Sequence, residues 1–363
     1  RTLSKTAKKV ASTSVPPIVI QDPRGCSRYI GVAFDTITIT ESPLWLQVKL
    51  LLSGLRPKNN IVDVTNYLML LTGQPVHAFD QDRIVGTVTI RRAKSNETLT
   101  LLTGETKYLS VEDIVIADDQ QVLALAGVMG GVHSAVTEQT KNIFLEIATF
   151  DGASIRRTKT HHTLPTDASY RYERGLDSNL PTLVVQEAIT LITTIVGGRC
   201  VGMRDVYPKT VRPTTITLTL ARIKNVLGTE ISLAHTKKYL EALGLVVRLL
   251  TNKKTLTVTV PTRRPDLRDE WDLIEEIGRM HGYEKIGVQA PSLPLTGSSV
   301  NPEKIFERSV KQYLAHIGFD EIMTYSFYGE KEIQSASLPL AHHLELANPL
   351  SPDQKFLRMT LAP

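Results

Sequence analysis

Residues 59–80 read NNIVDVTNYLMLLTGQPVHAFD. Ile61, Val64, Leu68 and Leu71 recur at intervals of three and four, the spacing of a helix that packs one face into a core. The helix is expected to stop at Gly73, after which the chain turns through Pro75 and delivers His77. Thr65 and Asn66 are poor helix formers placed inside it, and His77 titrates near neutral pH. Polar groups at those positions predict a site rather than a scaffold.

Working outward, residues 29–34 and 35–39 carry strand patterns, and a helix with Ser42 as N-cap and Pro43 in its first turn runs toward Gly54. Short strands are expected over 87–91, 97–102, 113–117 and 122–126, the last leading into Gly127-Val128-Met129-Gly130-Gly131. A further strand covers 143–147, polar loops reach Gly175, and a long helix over 180–195 closes the unit. After Pro208, Ile216, Leu218 and Leu220 alternate as in a half-buried strand. A helix from Ser232 to Gly244, a hairpin of 245–250 and 255–260 across 251–254, and a helix over 268–280 complete a small winged or similar module. From Asn301 a helix over 302–316, Gly318 and a strand over 321–327 begin a third unit. The order predicts a multidomain α+β chain, with residues 1–17, rich in Lys, Ser and Thr, as a linker.

At 363 residues the chain is long enough for two or three domains, and 42% hydrophobic with 22% charged residues is an ordinary globular balance. The net charge of +5 suits an RNA partner without arguing one alone. Two cysteines, Cys26 and Cys200, exclude a disulfide framework or a structural zinc site and fit a reducing cytoplasm. No apolar run reaches the length of a membrane span, the most apolar candidate being broken by Gln186 and Glu187. The first residue is Arg1, and the chain stops after the apolar run FLRMTLAP, so both ends read as cut from a longer polypeptide.

Two constellations carry chemistry. The first gathers Thr65, Asn66, His77, Gly130, Glu146, Thr166 and Ala168. Glu146 faces opposite to Ile143, Leu145 and Ile147, where a carboxylate is costly to desolvate without a partner. An exposed strand face would explain it equally well. Gly127 to Gly131 permit close approach of backbone to a ligand, or simply a turn at a strand end. Thr166 reads as a site residue or as a helix cap, and His77 lacks the Ser and Asp partners of a triad.

The second constellation is Asp266, Asp272, Glu275 and Glu276. Asp272, Glu275, Glu276 and Arg279 share one helix face, where acids that repel one another would favour a divalent cation such as Mg²⁺. From spacing alone a solvated acidic face is the simpler reading. Arg263, Arg264 and Arg268 beside these acids read as salt-bridge partners rather than phosphate contacts, and the pairs His161-His162 and His342-His343 as surface residues.

The motifs GLRPKNNIVDVTNY (54–67), GQPVHAFD (73–80), ALAGVMGG (124–131), FLEIATFD (144–151), TDASYRYERGLD (166–177), PTRRPDLRDEWDLIEEIGRMHGY (261–283) and NPLSPDQKFLRMTLAP (348–363) cover nearly the whole chain. Their order resembles the bacterial phenylalanine–tRNA ligase β subunit family. The resemblance implies an editing domain of mixed β-sheets and helices over 18–208, which hydrolyses tyrosine wrongly attached to the phenylalanine tRNA. It implies a small DNA-binding-like α+β domain over 209–288, and the truncated start of a catalytically inactive class II synthetase-like domain over 293–363.

Carried over by motif, Glu146 and Gly130 would line the tyrosine pocket, with Ala168 as one wall and Glu146 accepting a hydrogen bond from the phenol. Thr65, Asn66, His77 and Thr166 would position the ester, the terminal ribose and the attacking water, His77 orienting that water rather than serving as an obligatory base. Asp266, Asp272, Glu275 and Glu276 would help to hold Mg²⁺ at the boundary with the α subunit of an α2β2 assembly. ATP use belongs to that α subunit. His161-His162 stand where the family more often has basic or small residues. The main rival reading is a tRNA-binding and assembly scaffold with an inactive pocket. A stand-alone metal hydrolase is disfavoured because the acids and His77 fall in different domains.

Overall fold

The computed structural model describes residues 15–250, 255–288, 290, 292–294, 297 and 299–361. Most of the expected linker, the hairpin turn at 251–254 and the last two residues lie outside them. The chain divides into two compact units, Arg1–Val288 and Gln289–Pro363, each described by itself. Both mix helices with sheets, so the protein is α+β. Among the described residues no helix is long and apolar enough to cross a membrane.

The first unit is built around the strand Ile143–Phe150, in which all eight residues are buried. It pairs antiparallel with Cys26–Asp35 on one side and with His77–Asp80 on the other. Arg199–Val206 adds a fourth strand beyond Cys26–Asp35. Side chains alternate across this sheet. On one face Ile143, Leu145 and Ile147 join Ile30, Val32 and Phe34 against apolar residues of the helices Leu44–Leu52, Asn60–Thr72 and Leu180–Leu191. On the other, Phe144, Ala148, Tyr29, Ala33 and Phe79 pack against a second sheet. That sheet orders Ile18–Ile20, Val88–Arg92, Ile114–Ala117, Val122–Leu125 and Met129–Gly130. The result is three layers with a sheet in the middle. A strand covered on both faces reads as a nearly continuous apolar run, as FLEIATF does.

The helix Asn60–Thr72 is set by its ends. The Asn59 side chain accepts from the Val62 N–H, and Gly73 closes the helix in a left-handed conformation (φ 79°) that costs a glycine little. Ile61, Val64 and Leu68 form the buried face, whereas Leu71 is 50% exposed and does not belong to it.

Several expectations need correction. The helix after Pro43 starts at Leu44 without a side-chain cap, because the Ser42 hydroxyl donates instead to Asp63 Oδ2 at 2.6 Å. The strand ends at Asp35, and residues 36–39 form none. The expected polar loops before Gly175 contain two helices, Gly152–His162 and Asp167–Tyr172, capped by Asp151 and Thr166. Neither carries the regular apolar stripe that marks a helix in sequence.

In the rest of this unit Thr255–Val260 pairs with Thr214–Thr219 and with Val246–Leu249. The strand expected to reach Leu220 yields there to a helix, Leu220–Leu227, that the alternation hid. With Leu233–Ala242 and Glu270–His281 it closes a core of Leu218, Ile223, Leu240, Val258, Leu273 and Ile277. In the second unit Pro302–His316 is a helix with no buried residue. Of the strand expected over 321–327 only Phe327 pairs, in a short strand Phe327–Tyr328 against Phe356–Leu357. His343, expected at the surface, is half-buried there, with its Nε2 against the Tyr328 hydroxyl and its ring beside Phe356.

Candidate active site

Glu146 lies in the middle of the central strand, directly opposite His77 on one neighbour and Gly31 on the other. Residues directly opposite in an antiparallel pair project from the same face, so Glu146 and His77 point together into the space between the two sheets. Glu146 is 5% exposed, which excludes the solvent-facing alternative. The turn before His77 is held by Gln74, whose Nε2 donates to the Pro75 and Ala148 carbonyls at 3.0 and 2.8 Å.

That space opens as two adjoining cavities. The inner one, about 80 Å³, is lined by Glu146, Tyr172, Ile116, Ala124, Leu125 and Gly127. The outer one, about 510 Å³, is lined by Thr65, Asn66, Met69, Leu102, Thr166 and Asp167. Pro75, Val76, His77, Val128, Met129, Gly130 and Ala168 border both. All seven residues of the first constellation therefore line one cleft: Glu146 at its inner end, Thr65, Asn66 and Thr166 toward its mouth, and His77, Gly130 and Ala168 at the junction.

At that junction the backbone of Gly130 meets the His77 ring. A Cβ on Gly130 would stand 2.7 Å from His77 Nε2 and 2.8 Å from Cε1, so any side chain here would have to displace the His77 ring. The His77 ring also meets Phe79 edge-on, with centroids 4.5 Å apart.

The electrostatics follow from burial. Removal from water pushes the Glu146 carboxyl up to about 8 and His77 down to about 4, so both are neutral at pH 7. Among the described residues His77 Nε2 is buried without a hydrogen-bond partner, and the Glu146 carboxyl makes no hydrogen bond or ion pair. The hydroxyls of Tyr29 and Tyr172 are pushed up by burial first and the Glu146 charge second. Tyr172 donates to the Ala148 carbonyl at 3.1 Å, and among the described residues the Tyr29 hydroxyl has no partner.

The polar groups near the mouth differ in freedom. Thr65 donates to its own helix at Val62 O, 2.7 Å away. Thr166 donates to Val128 O at 2.9 Å and accepts from Ser169 N at 3.1 Å, so it ties a helix start to the glycine-rich strand end. Its capping alternative is therefore the observed one, at a position that also lines the cleft. The half-buried Asn66 amide makes no hydrogen bond among the described residues. Gln74, Pro75, Met129 and Tyr172 were not singled out as site residues; all four sit inside the quoted motifs, but nothing in their spacing marks them.

The second constellation lies apart. Arg264 binds Asp266 and Glu276, each at 2.7 Å, and Arg279 binds Glu276 as well. Asp272 accepts from the Arg268 and Asp269 N–H groups at 2.7 and 3.1 Å and so caps its own helix, while Glu275 faces solvent. The bond from Arg264 holds Asp266 below the usual carboxylate range. Burial would raise Glu276, but its bonds to Arg279 and Arg264 lower it. Among the described residues no three His, Cys, Asp or Glu groups are placed to hold a metal ion, and these four acids do not fit Mg²⁺ on this chain alone. His162, expected at the surface, is buried with Nε2 2.7 Å from Asp113 Oδ2, and Thr158 donates to the other Asp113 oxygen at 2.8 Å. His161 is exposed as expected.

Three family profiles match the chain: the B3/4 domain over residues 25–197, the tRNA synthetase B5 domain over 216–283, and the phenylalanyl tRNA synthetase beta chain CLM domain over 286–363. The phenylalanine–tRNA ligase beta subunit of Carboxydothermus hydrogenoformans is 38% identical over 352 residues, covering 95% of this chain and 44% of that protein. Its counterpart from Moorella thermoacetica is 39% identical over 357 residues, covering 97% and 44%. The chain thus spans less than half the length of these relatives. A solved N-terminal fragment of the phenylalanyl-tRNA synthetase beta-subunit from Pyrococcus horikoshii aligns with a TM-score of 0.37 and 15% identity, covering 77% of this chain and 78% of that one, too distant to equate the folds.

Proposed function

We propose, for a chain that belongs to the phenylalanine–tRNA ligase β subunit family, that its cleft hydrolyses the ester joining misplaced tyrosine to tRNA. The observation that supports this best is the Glu146 carboxyl, buried and unpaired at the inner end of a cleft whose wider part holds Asn66, Thr65 and Thr166. A tyrosine ring would lie among Val76, Ile116, Ala124 and Val128, with its hydroxyl at Glu146. Phenylalanine would leave Glu146 desolvated and unpaired, and an unmet buried polar group is what lets a site reject an isostere lacking one hydroxyl.

The ester then lies at the junction, beside His77. A histidine held near 4 is a weak base at pH 7. Its neutral ring can accept a hydrogen bond from water and aim a lone pair at the ester carbonyl, which is positioning rather than obligatory proton abstraction. Asn66 supplies a free amide for the ester or the ribose. Charging of the tRNA with ATP would belong to a partner α subunit, with this chain contributing tRNA binding and proofreading.

Calorimetry of this chain with free tyrosine and with free phenylalanine tests the specificity. Tyrosine should bind and phenylalanine should not; equal affinities would leave a scaffold with an inactive pocket. Mischarged Tyr-tRNA offered to the assembled α and β chains tests the reaction, which His77→Ala should slow about tenfold to a hundredfold.

A further inference from the structure

Thr166 and Asp167, which line the outer cavity, also border a shallow groove walled by Lys159, Pro165, Ser169 and Tyr170. Tyr170 is 55% exposed, unusual for an aromatic side chain in a short helix that has a core to pack against. The Arg174 guanidinium lies over its ring, with Cζ 3.4 Å from the centroid. Arg174 is held there by bonds from Nη1 to the Tyr170 carbonyl at 2.6 Å and to Glu173 Oε1 at 2.9 Å. Lys159 Nζ reaches the other Glu173 oxygen at 2.5 Å. Two planar groups are thus ordered before any ligand arrives. The segment between residues 152 and 175 carries five Lys and Arg against two Asp and Glu, and Lys159 lines the groove itself.

We infer that this groove binds single-stranded nucleic acid, stacking on the Tyr170–Arg174 pair the base that precedes the nucleotide whose ribose sits at the cleft mouth. The direction of the strand rests on the proposed hydrolytic reading. Bases stack on aromatic rings and on guanidinium planes alike, with the backbone phosphates drawn to surrounding cations. An acidic peptide is the weaker candidate. Lys159 and Arg174 are both already engaged by Glu173, so the flat face rather than free charge is what the groove offers.

The experiment uses the full 363-residue chain and a 5′-fluorescein-labelled ACCA ribonucleotide, read by anisotropy. Tyr170→Ala should weaken binding about tenfold, and Tyr170→Phe by less than about twofold, because the ring and not the hydroxyl carries the contact. Tyr170→Leu keeps the bulk without the π face and should fall with the alanine variant; its unfolding midpoint guards against loss of fold. The inference fails if the parent does not bind the oligonucleotide at millimolar concentration. It fails equally if Tyr170→Ala binds like the parent, if Tyr170→Phe falls as far as Tyr170→Ala, or if polyglutamate displaces the probe as readily as unlabelled ACCA does. Tyrosine calorimetry on the parent separates the two readings. Tyr170-dependent RNA binding without tyrosine selectivity keeps the groove and removes the hydrolytic reading, and the reverse result removes the groove alone.

Discussion

Glu146 and Glu276 are both carboxylates turned inward from regular structure, and they have opposite fates. Glu276 sits between Arg264 and Arg279, which lower its pKa against the effect of burial. Glu146 has no partner among the described residues, and burial alone raises it to about 8. A paired acid contributes to the scaffold. An unpaired acid at the inner end of a cleft is a stability cost that persists only where a ligand makes up for it. The contrast therefore separates a structural cluster from a recognition site, and it can be broken by experiment.

The largest effect is expected at Glu146. Glu146→Ala should collapse the preference for tyrosine over phenylalanine by at least about a hundredfold, measured as the ratio of their affinities by calorimetry. Its unfolding midpoint should not fall, because no protein hydrogen bond is lost. An unchanged ratio would mean that the hydroxyl is not read at this position, and the distinction from Glu276 would lose its functional half.

The reverse pattern is expected at Arg264. Arg264→Ala leaves Glu276 with Arg279 alone and Asp266 with none of its present cation contact. The side chain of Glu276 is only 14% exposed, so the loss should be about 2 kcal/mol in chemical denaturation, with tyrosine selectivity unchanged. A stability-neutral Arg264→Ala would show that the arginines merely decorate the helix.

These two clusters were unequally legible in the sequence. The helix of residues 60–72 and the buried strand 143–150 announce themselves through periodicity, and Gly73 and Asn59 mark the helix ends. Thr65, Asn66 and Glu146 were legible as polar groups on apolar elements and Gly130 as part of a glycine-rich run, whereas the roles of all seven constellation residues came from family motifs. What remained hidden depends on tertiary contact. Whether Glu146 faced solvent or a second sheet could not be decided by alternation, since the covering strands come from residues 18–20 and 88–130. The buried His162–Asp113 contact joins positions 49 apart with no local signature. At the acidic helix Arg264 was legible as a salt-bridge partner, as observed, but spacing alone does not show that it holds Asp266 and Glu276, twelve residues on, at once.

The ionisation states sharpen the comparison in the same units. Glu146 is raised from 4.5 to about 8, so the folded chain holds a proton that the unfolded chain releases across that interval, and this stabilisation is lost as pH rises through it. His77 is lowered from 6.5 to about 4, so its contribution is present above 6.5 and lost as pH falls toward 4. Between about 4.5 and 6.5 the two slopes oppose and nearly cancel. Above 6.5 only Glu146 remains, and stability should decline by about 2 kcal/mol up to pH 8. Glu146→Gln should abolish that decline, and Arg264→Ala should keep it. A parent chain whose denaturation midpoint is flat from pH 6.5 to 8 would show that Glu146 finds a partner or water in solution.

The smallest expected effect is a near-absence with a conditional reversal. Asp266 and Glu276 are already neutralised by Arg264, and Asp272 is occupied by backbone N–H groups of its own helix. Millimolar Mg²⁺ should therefore move the unfolding midpoint of this chain by less than about 1 °C. The cation would have to displace a guanidinium that makes bidentate contact, and it sheds its own water reluctantly. In Arg264→Ala the same addition should restore part of the lost stability, because two carboxylates are then left to repel each other near one point. A strong Mg²⁺ shift in the parent would place these acids with Glu146, as groups waiting for a ligand, and the division between the two regions would have to be redrawn.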